Sequence, residues 1–336
     1  MARFKTFSAI NIDDFNLYFY QSAYDGDEII ENDPGYWSAG GFTTATYDEF
    51  YYGYGLSDTN VSWALGAAGA DFFYDGYASG TANAISEWND GGTGNWVINW
   101  ILDGVSVSLS DLIEAVTTPT PLDDLILLSE ALSGSDIITL SDFDDVFSGF
   151  GGRDTIYGGS GGDVLYGERG SDTLYGGAGG DDLYGGAGSD KLLGDANDDY
   201  LNGGAGNDTL QGGASIDYAW GGPGLDTFVY KRVSEAPINA GTYDTIGYLS
   251  TGNDRISLVS IDANTAAAAT GNQTFSFIGT VAFNGSAGQL RYDVIDVDSD
   301  GDLDVLVFGT VNADTTADFA IAALDRTSIE ATDFLL

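Results

Sequence analysis

The chain has 336 residues, 43% hydrophobic and 13% aromatic, a globular composition with room for about two domains. Its 52 acidic residues face only 10 basic ones, a net charge of -42, and it has neither cysteine nor histidine. That balance makes nucleic acid and anionic membranes unfit partners, because phosphate binding needs Lys and Arg; the missing residue types exclude thiolate and imidazole metal sites and any mechanism built on an imidazole base. Self-repulsion on this scale opposes a compact state unless cations are bound, and divalent metal is the natural candidate. The opening MARFKTFSAINIDDF has no continuous apolar run before Asp13 and Asp14, so it does not read as a secretory signal peptide. No stretch reaches the roughly 18 apolar residues of a membrane span.

Residues 1–116 are rich in Tyr, Phe and Trp, as in FTTATYDEFYYGYG and ADFFYDGYASG, broken by Gly, Asn, Asp and Ser. This predicts short strands and turns, a separate β or α+β domain with a short helix near SLSDLIEAV. Tyr51, Tyr52, Tyr54, Trp88, Trp96 and Trp100 are candidate platforms for a carbohydrate or haem, and equally candidates for core packing. Asp48, Glu49, Glu87 and Asp90 are of the type a carboxylate-pair glycosidase uses, the common hydrolytic chemistry that needs neither His nor Cys; solvated acidic loops explain them as well. TTPTPLDD then marks a connector, since two prolines disfavour helix and strand interiors. With DDLILLSEAL, a short amphipathic helix suited to capping a neighbouring domain, it occupies 117–132.

From 133 to 230 the text is periodic. Aspartates stand at 136, 145, 154, 163, 172, 181, 190, 199, 208, 217 and 226, each nine residues after the last and each with an apolar residue, Ala219 being the smallest, two positions on. A fixed period of this kind marks a repeat architecture, and a flexible glycine-rich linker needs no apolar residue in phase with every acid. The pattern predicts a parallel β-roll: glycines make the turn, a short strand comes next, and two nonapeptides make one coil. Alternate repeats then stack at about 4.8 Å. One column of turns carries Asp154, Asp172, Asp190, Asp208 and Asp226; the other carries Asp145, Asp163, Asp181, Asp199 and Asp217. Carboxylates stacked this closely need a hard cation with flexible oxygen coordination between them, which is Ca²⁺. GGSGGDVLY, GGAGGDDLY, GGAGSDKLL and GGAGNDTLQ match the signature of RTX (repeats-in-toxin) proteins. GERGSD, GDANDD, GGASID and SDFDDV lose turn glycines, and weaker or missing calcium is expected there.

The text from Asp226 on, most of it in a C-terminal domain at 231–336, resembles the segment after the repeats in serralysin-type secreted metalloproteases, through DTFVYKRVSEAPINAGTYDTIGYLSTGNDRISL, FSFIGTVAFNGSAGQLRYDV and the closing SIEATDFLL. The resemblance covers 145–336 and not the protease domain, whose zinc-binding HExxH helix a chain without histidine cannot form. It implies a β-rich C-terminal cap, several bound Ca²⁺ ions, and export by a type I secretion apparatus that reads an uncleaved C-terminal signal, here Asp333-Phe334-Leu335-Leu336. In DVDSDGDLD, Asp296, Asp298, Asp300, Asp302 and Asp304 alternate around Gly301 as in an EF-hand loop, but Val307 stands where its bidentate glutamate belongs. A bound Ca²⁺ and a solvated acidic loop fit equally well.

The expected protein is mainly β, non-catalytic, secreted or at the cell surface, and calcium-binding. Its role is expected to be a surface-layer, matrix or adhesive subunit that assembles with copies of itself or with cell-surface polysaccharide, without nucleic acid and without membrane insertion. A secreted ligand-binding module and the glycosidase stand as alternatives.

Overall fold

A computed structural model describes residues 132–238, 243–250, 253–265 and 272–336, and the backbone of eight strands before residue 132. The helix expected near SLSDLIEAV, the 117–131 connector, Tyr54, Asp90 and Trp96 lie outside the described residues. The chain divides into two compact units, Met1–Tyr157 and Gly158–Leu336.

In the first unit the described strands are β1 (Arg3–Thr6), β2 (Glu28–Glu31), β3 (Tyr36–Ala39), β4 (Phe42–Ala45), β5 (Asp48–Gly53), β6 (Trp63–Tyr74), β7 (Ala78–Asn89) and β8 (Val97–Ser108). β3 and β4 form a separate hairpin, and the others lie side by side in the order β2-β5-β6-β7-β8-β1, all antiparallel. Tyr51, Tyr52, Asp48 and Glu49 stand on β5, Trp88 and Glu87 on β7, and Trp100 on β8. Pairing turns parallel at β9 (Ile137–Thr139), which lies on the free edge of β1. β10 (Val146–Ser148), β11 (Gly151–Gly152) and β12 (Thr155–Ser160) come next, and β12 pairs with β9 in parallel, Ile156 opposite Ile138.

The second unit continues the nonapeptides as β13 (Val164–Tyr166), β14 (Arg169–Gly170), β15 (Thr173–Ala178), β16 (Asp182–Ala187), β17 (Lys191–Ala196), β18 (Tyr200–Ala205), β19 (Thr209–Ala214), β20 (Tyr218–Trp220) and β21 (Thr227–Val229). Successive strands alternate between two parallel sheets, β15-β17-β19-β21 and β13-β16-β18-β20. Leu174, Leu192, Leu210 and Phe228 are register partners in one sheet, and Leu165, Leu183, Leu201 and Ala219 in the other. Two nonapeptides therefore make one coil, as the periodicity predicts. All eight of these residues are buried, and each buried leucine contributes roughly 1.5 to 3 kcal/mol.

Beyond the repeats come β22 (Asp244–Ile246), β23 (Arg255–Ser257), β24 (Ser276–Phe277), β25 (Gln289–Ile295), β26 (Asp304–Thr310), β27 (Phe319–Ala323) and β28 (Phe334–Leu335). β22 and β23 extend the two sheets of the roll in parallel from β20 and β21. β25, β26 and β27 form an antiparallel meander beside β22, built on buried Val305, Leu306, Val307, Phe319 and Ile321. β28 pairs with β23 and is fastened by buried Arg326, which donates to the Leu249 carbonyl at 2.7 Å and to Asp333 at 3.2 Å. Among the described residues no helix is long and apolar enough to cross a membrane.

Candidate metal centre

The turn in each nonapeptide is set by its glycines. Gly179, at φ +142°, has so little room that a Cβ would stand 1.8 Å from the Gly161 carbonyl of the preceding coil, and so coils stack backbone on backbone. The first glycine of the turn faces the carboxylate: a Cβ on Gly203 would lie 2.6 Å from Asp208 Oδ2 and 2.7 Å from the Gly221 carbonyl oxygen of the next coil. The same cradle of one carboxylate oxygen and one carbonyl oxygen recurs at Gly185, around Asp190 and Gly203, and at Gly194, around Asp199 and Gly212.

The aspartates at the turn ends form two ladders. The backbone N–H of Asp172 donates to Asp190 Oδ1, that of Asp190 to Asp208 and that of Asp208 to Asp226, at 2.8 to 2.9 Å. In the other column Asp163 N–H donates to Asp181, Asp181 to Asp199 and Asp199 to Asp217, at 2.8 to 3.0 Å. In the first unit Asp136 N–H donates to Asp154 Oδ1 at 2.8 Å. Asp172, Asp190, Asp208 and Asp226 thus line up in one column and Asp163, Asp181, Asp199 and Asp217 in the other.

In the six accepting carboxylates of the second unit one oxygen is thereby used, and the other is not. Oδ2 of Asp181, Asp190, Asp199, Asp208, Asp217 and Asp226 is buried without a hydrogen-bond partner, and among the described residues no Lys or Arg pairs with any of the six. An ionised oxygen in that position is costly. Burial accordingly pushes the Asp199 carboxyl up to about 8, Asp208 and Asp217 to about 7 and Asp226 to about 6, against the pull of the amide each accepts. Asp181 and Asp190 are raised for the same reason. Unmet carboxylate oxygens beside main-chain carbonyl oxygens form an all-oxygen donor set, which suits a hard divalent cation such as Ca²⁺.

The turns that lose glycines keep the path of the backbone. Glu168, Asp195, Asn197 and Ser215 take φ values of 71°, 74°, 83° and 98° in the places of glycines, at about 1 to 2 kcal/mol each. In two of these turns Asp199 and Asp217 still hold a buried, partnerless Oδ2. SDFDDV is built differently. Ser141 closes on Asp145 Oδ2 through its N–H at 2.9 Å and its hydroxyl at 2.8 Å, so protein donors supply what this carboxylate needs.

The ladders run past the last repeat. Asp217 N–H donates to Asp244 Oδ1 at 3.2 Å, and Asp226 N–H to Asp254 Oδ1 at 3.0 Å. Asp254 Oδ2 is closed by Ser250 N–H at 2.6 Å, the arrangement seen at Asp145. Asp244 is pushed up to about 8 by burial and by the charge of Asp217. The nonapeptide period misses both residues because insertions separate them from the repeats by 27 and 28 positions; the surviving signal is the triplet D-T-I or D-R-I, which matches D-T-F at 226–228.

The alternating acids divide into two groups. Asp296, Asp298 and Asp304 place carboxylate oxygens within 4.8 Å of one another, and Asp300 and Asp302 do so with Asp325, which the sequence pattern does not reach. Asp304 is buried with both oxygens engaged, accepting from Asp325 N–H at 2.9 Å and Val297 N–H at 2.7 Å. The remaining four acids of the loop are exposed.

Residues 130–165, 157–192 and 193–228 each match the family model of the RTX calcium-binding nonapeptide repeat, which is four copies long. No curated protein matches the chain.

Proposed function

Taking residues 130–228 as RTX calcium-binding nonapeptide repeats, we propose that calcium is held in both turn columns of the roll and that the chain is a secreted structural subunit of a cell surface or matrix. The observation that carries the reading is the row of buried, partnerless Oδ2 atoms on Asp181, Asp190, Asp199, Asp208, Asp217 and Asp226. These oxygens, with carbonyls such as those of Gly203, Gly212 and Gly221, would hold the ions, and an ion supplies the positive charge that the sequence lacks between stacked carboxylates. Asp163 and Asp172 belong to the same columns; Asp154 is a further candidate ligand, and Asp145 is the weakest candidate because Ser141 already serves it. Asp296, Asp298, Asp300, Asp302 and Asp304 are a secondary candidate.

Folding is thereby tied to location. RTX repeat proteins are generally secreted, and extracellular calcium lies in the range where modules with affinities of about 10⁻⁴ to 10⁻³ M fill. Before export the repelling carboxylates keep the repeats expanded. Surface assembly would depend on calcium as well: at -42, copies of this chain repel unless cations lie between them. The roll acts as a scaffold, with no part in catalysis.

The test is a calcium titration of the full chain followed by circular dichroism and light scattering together. Folding and association on calcium addition, both reversed by chelator, are expected. A roll fully folded in chelator overturns the calcium reading, and a calcium-folded chain that stays monomeric at high concentration overturns assembly.

A further inference from the structure

The outward side chains on one sheet of the roll form an aromatic file. Tyr166 stacks on Tyr184 at 5.0 Å between centroids, Tyr184 lies 5.8 Å from Tyr200, and Tyr200 stacks on Tyr218 at 5.4 Å. The file ends where β20 gives way to β22. Gly247 comes directly after Ile246, the register partner of Ala219, and so stands level with Trp220 with no side chain to cover it. A Cβ on Gly247 would come within 2.1 Å of the Tyr218 hydroxyl, so the glycine both opens this end of the file and lets Tyr218 lie across the backbone.

The result is an open groove of about 630 Å³ lined by Tyr218, Trp220, Tyr248, Ser250, Asn253 and Asp325. That volume falls in the range of small-ligand sites, roughly 300 to 1,000 Å³. Trp220 is 42% exposed and Tyr248 53% exposed. Flat apolar faces beside a hydroxyl, an amide and a carboxylate are a combination that serves a ligand with apolar ring faces and a rim of hydroxyls. The lining has no Lys or Arg, and the chain around it carries a charge of -42, which turns away anionic ligands.

We infer that this groove is a binding site for a neutral glycan, with pyranose rings resting on Trp220 and Tyr248 and their hydroxyls exchanging hydrogen bonds with Asn253, Ser250 and Asp325. The site depends on the roll being folded but not on self-assembly. Nor does it involve the aromatic residues before residue 117.

The experiment is isothermal titration calorimetry of the full chain, in calcium sufficient to complete its folding as judged by circular dichroism. The probes are maltohexaose, cellohexaose, laminarihexaose and chitohexaose, with oligogalacturonate and tetramethylammonium as the anionic and cationic arms. At least one neutral hexaose is expected to bind, and Trp220→Ala and Tyr248→Ala each to weaken it about tenfold, the loss of one stacking face worth about 1.4 kcal/mol. Tyr248 is exposed enough that its variant keeps the parent circular dichroism, which separates loss of binding from loss of fold. Absence of binding by all four neutral probes overturns the inference, as does a hexaose affinity unchanged in both variants, which would move the site elsewhere in the chain. Tighter binding of oligogalacturonate or tetramethylammonium than of every neutral hexaose also overturns it. Failure of the chain to fold with calcium would be a failure of the calcium reading, and dichroism reports it separately.

Discussion

Replacing Asp208 by Asn and by Ala separates the two jobs of a ladder carboxylate. Oδ1 accepts the Asp190 N–H at 2.8 Å, and Oδ2 is buried with no partner. Burial raises the Asp208 carboxyl from 3.8 to about 7, so without calcium at pH 8 its charge costs the folded roll on the order of 4 kcal/mol. Asn keeps the acceptor and removes the charge, but places an amide donor where Oδ2 was, at about 1 to 3 kcal/mol if unmet. The net expectation is a metal-free roll stabilised by roughly 1 to 3 kcal/mol. Ala removes the charge too and adds no unmet donor, but it strands the buried Asp190 N–H at a similar cost of about 1 to 3 kcal/mol, so it should fall close to Asn. The assay is folding in chelator at pH 8 driven by trimethylamine N-oxide, which strengthens burial by its exclusion from protein surface, followed by far-UV circular dichroism. Asp208→Asn should fold at lower osmolyte than the parent and yet need several-fold more calcium in a calcium titration. If it needs more osmolyte than the parent, the buried charge is not what opposes folding and the reasoning fails.

Acid should substitute in part for calcium. An aspartate whose folded value is raised contributes stability that is complete below its unfolded value near 3.8 and is lost as pH climbs through the folded value. Without metal the roll should therefore be most stable in acid and weaken from about pH 4, where the aspartates of the unfolded chain ionise, up to about pH 8, by which Asp226, Asp208, Asp217 and Asp199 of the roll have ionised too; calcium affinity should rise between about pH 6 and 8, as the roll's own carboxylates ionise, and a metal-free roll equally folded at pH 4.5 and 8.5 would contradict this. Gly206 sits at φ +144° with the Gly188 carbonyl 1.4 Å from where a Cβ would lie. Gly206→Ala should cost about 3 kcal/mol or more, and Gly180→Ala much less, since its nearest neighbour would be 3.0 Å away; equal calcium midpoints for the two variants would refute the stacking argument. Asp254→Ala leaves both Asp226 N–H and Ser250 N–H without their acceptor, a loss of about 2 to 4 kcal/mol. Asp302→Ala, on the exposed loop, should leave thermal unfolding unchanged, and reversal of that order would show that the ladders end with the repeats.

The roll is legible because its physics repeats. An aspartate every nine residues, with an apolar residue in phase, fixes both the inward side chains and the two columns, and Leu183 opposite Leu201 follows from period alone. Asp244 and Asp254 are not legible by period, because the inserted segments hide the step while the ladder bond is kept. Nor is the closing of Asp145 by Ser141, which depends on where one hydroxyl points. Asp325 joins Asp300 and Asp302 only through the fold of the meander. Before residue 117 the aromatic alternation announces strands, but no period sets their order, and β1 reaching β9 is a long-range pairing with no local signature.

The bonds in each ladder all point one way. The amide of a turn donates to the carboxylate one coil further along the chain, never to the one behind. A coil laid down in front of an existing one finds its acceptor waiting, whereas a coil added behind the last one brings an acceptor but leaves its own buried amide unmet. The roll is a zipper with a preferred direction of closing: Asp244 and Asp254 are its fixed end, and growth from them toward Asp163 and Asp172 passes through no stage with an orphaned ladder amide.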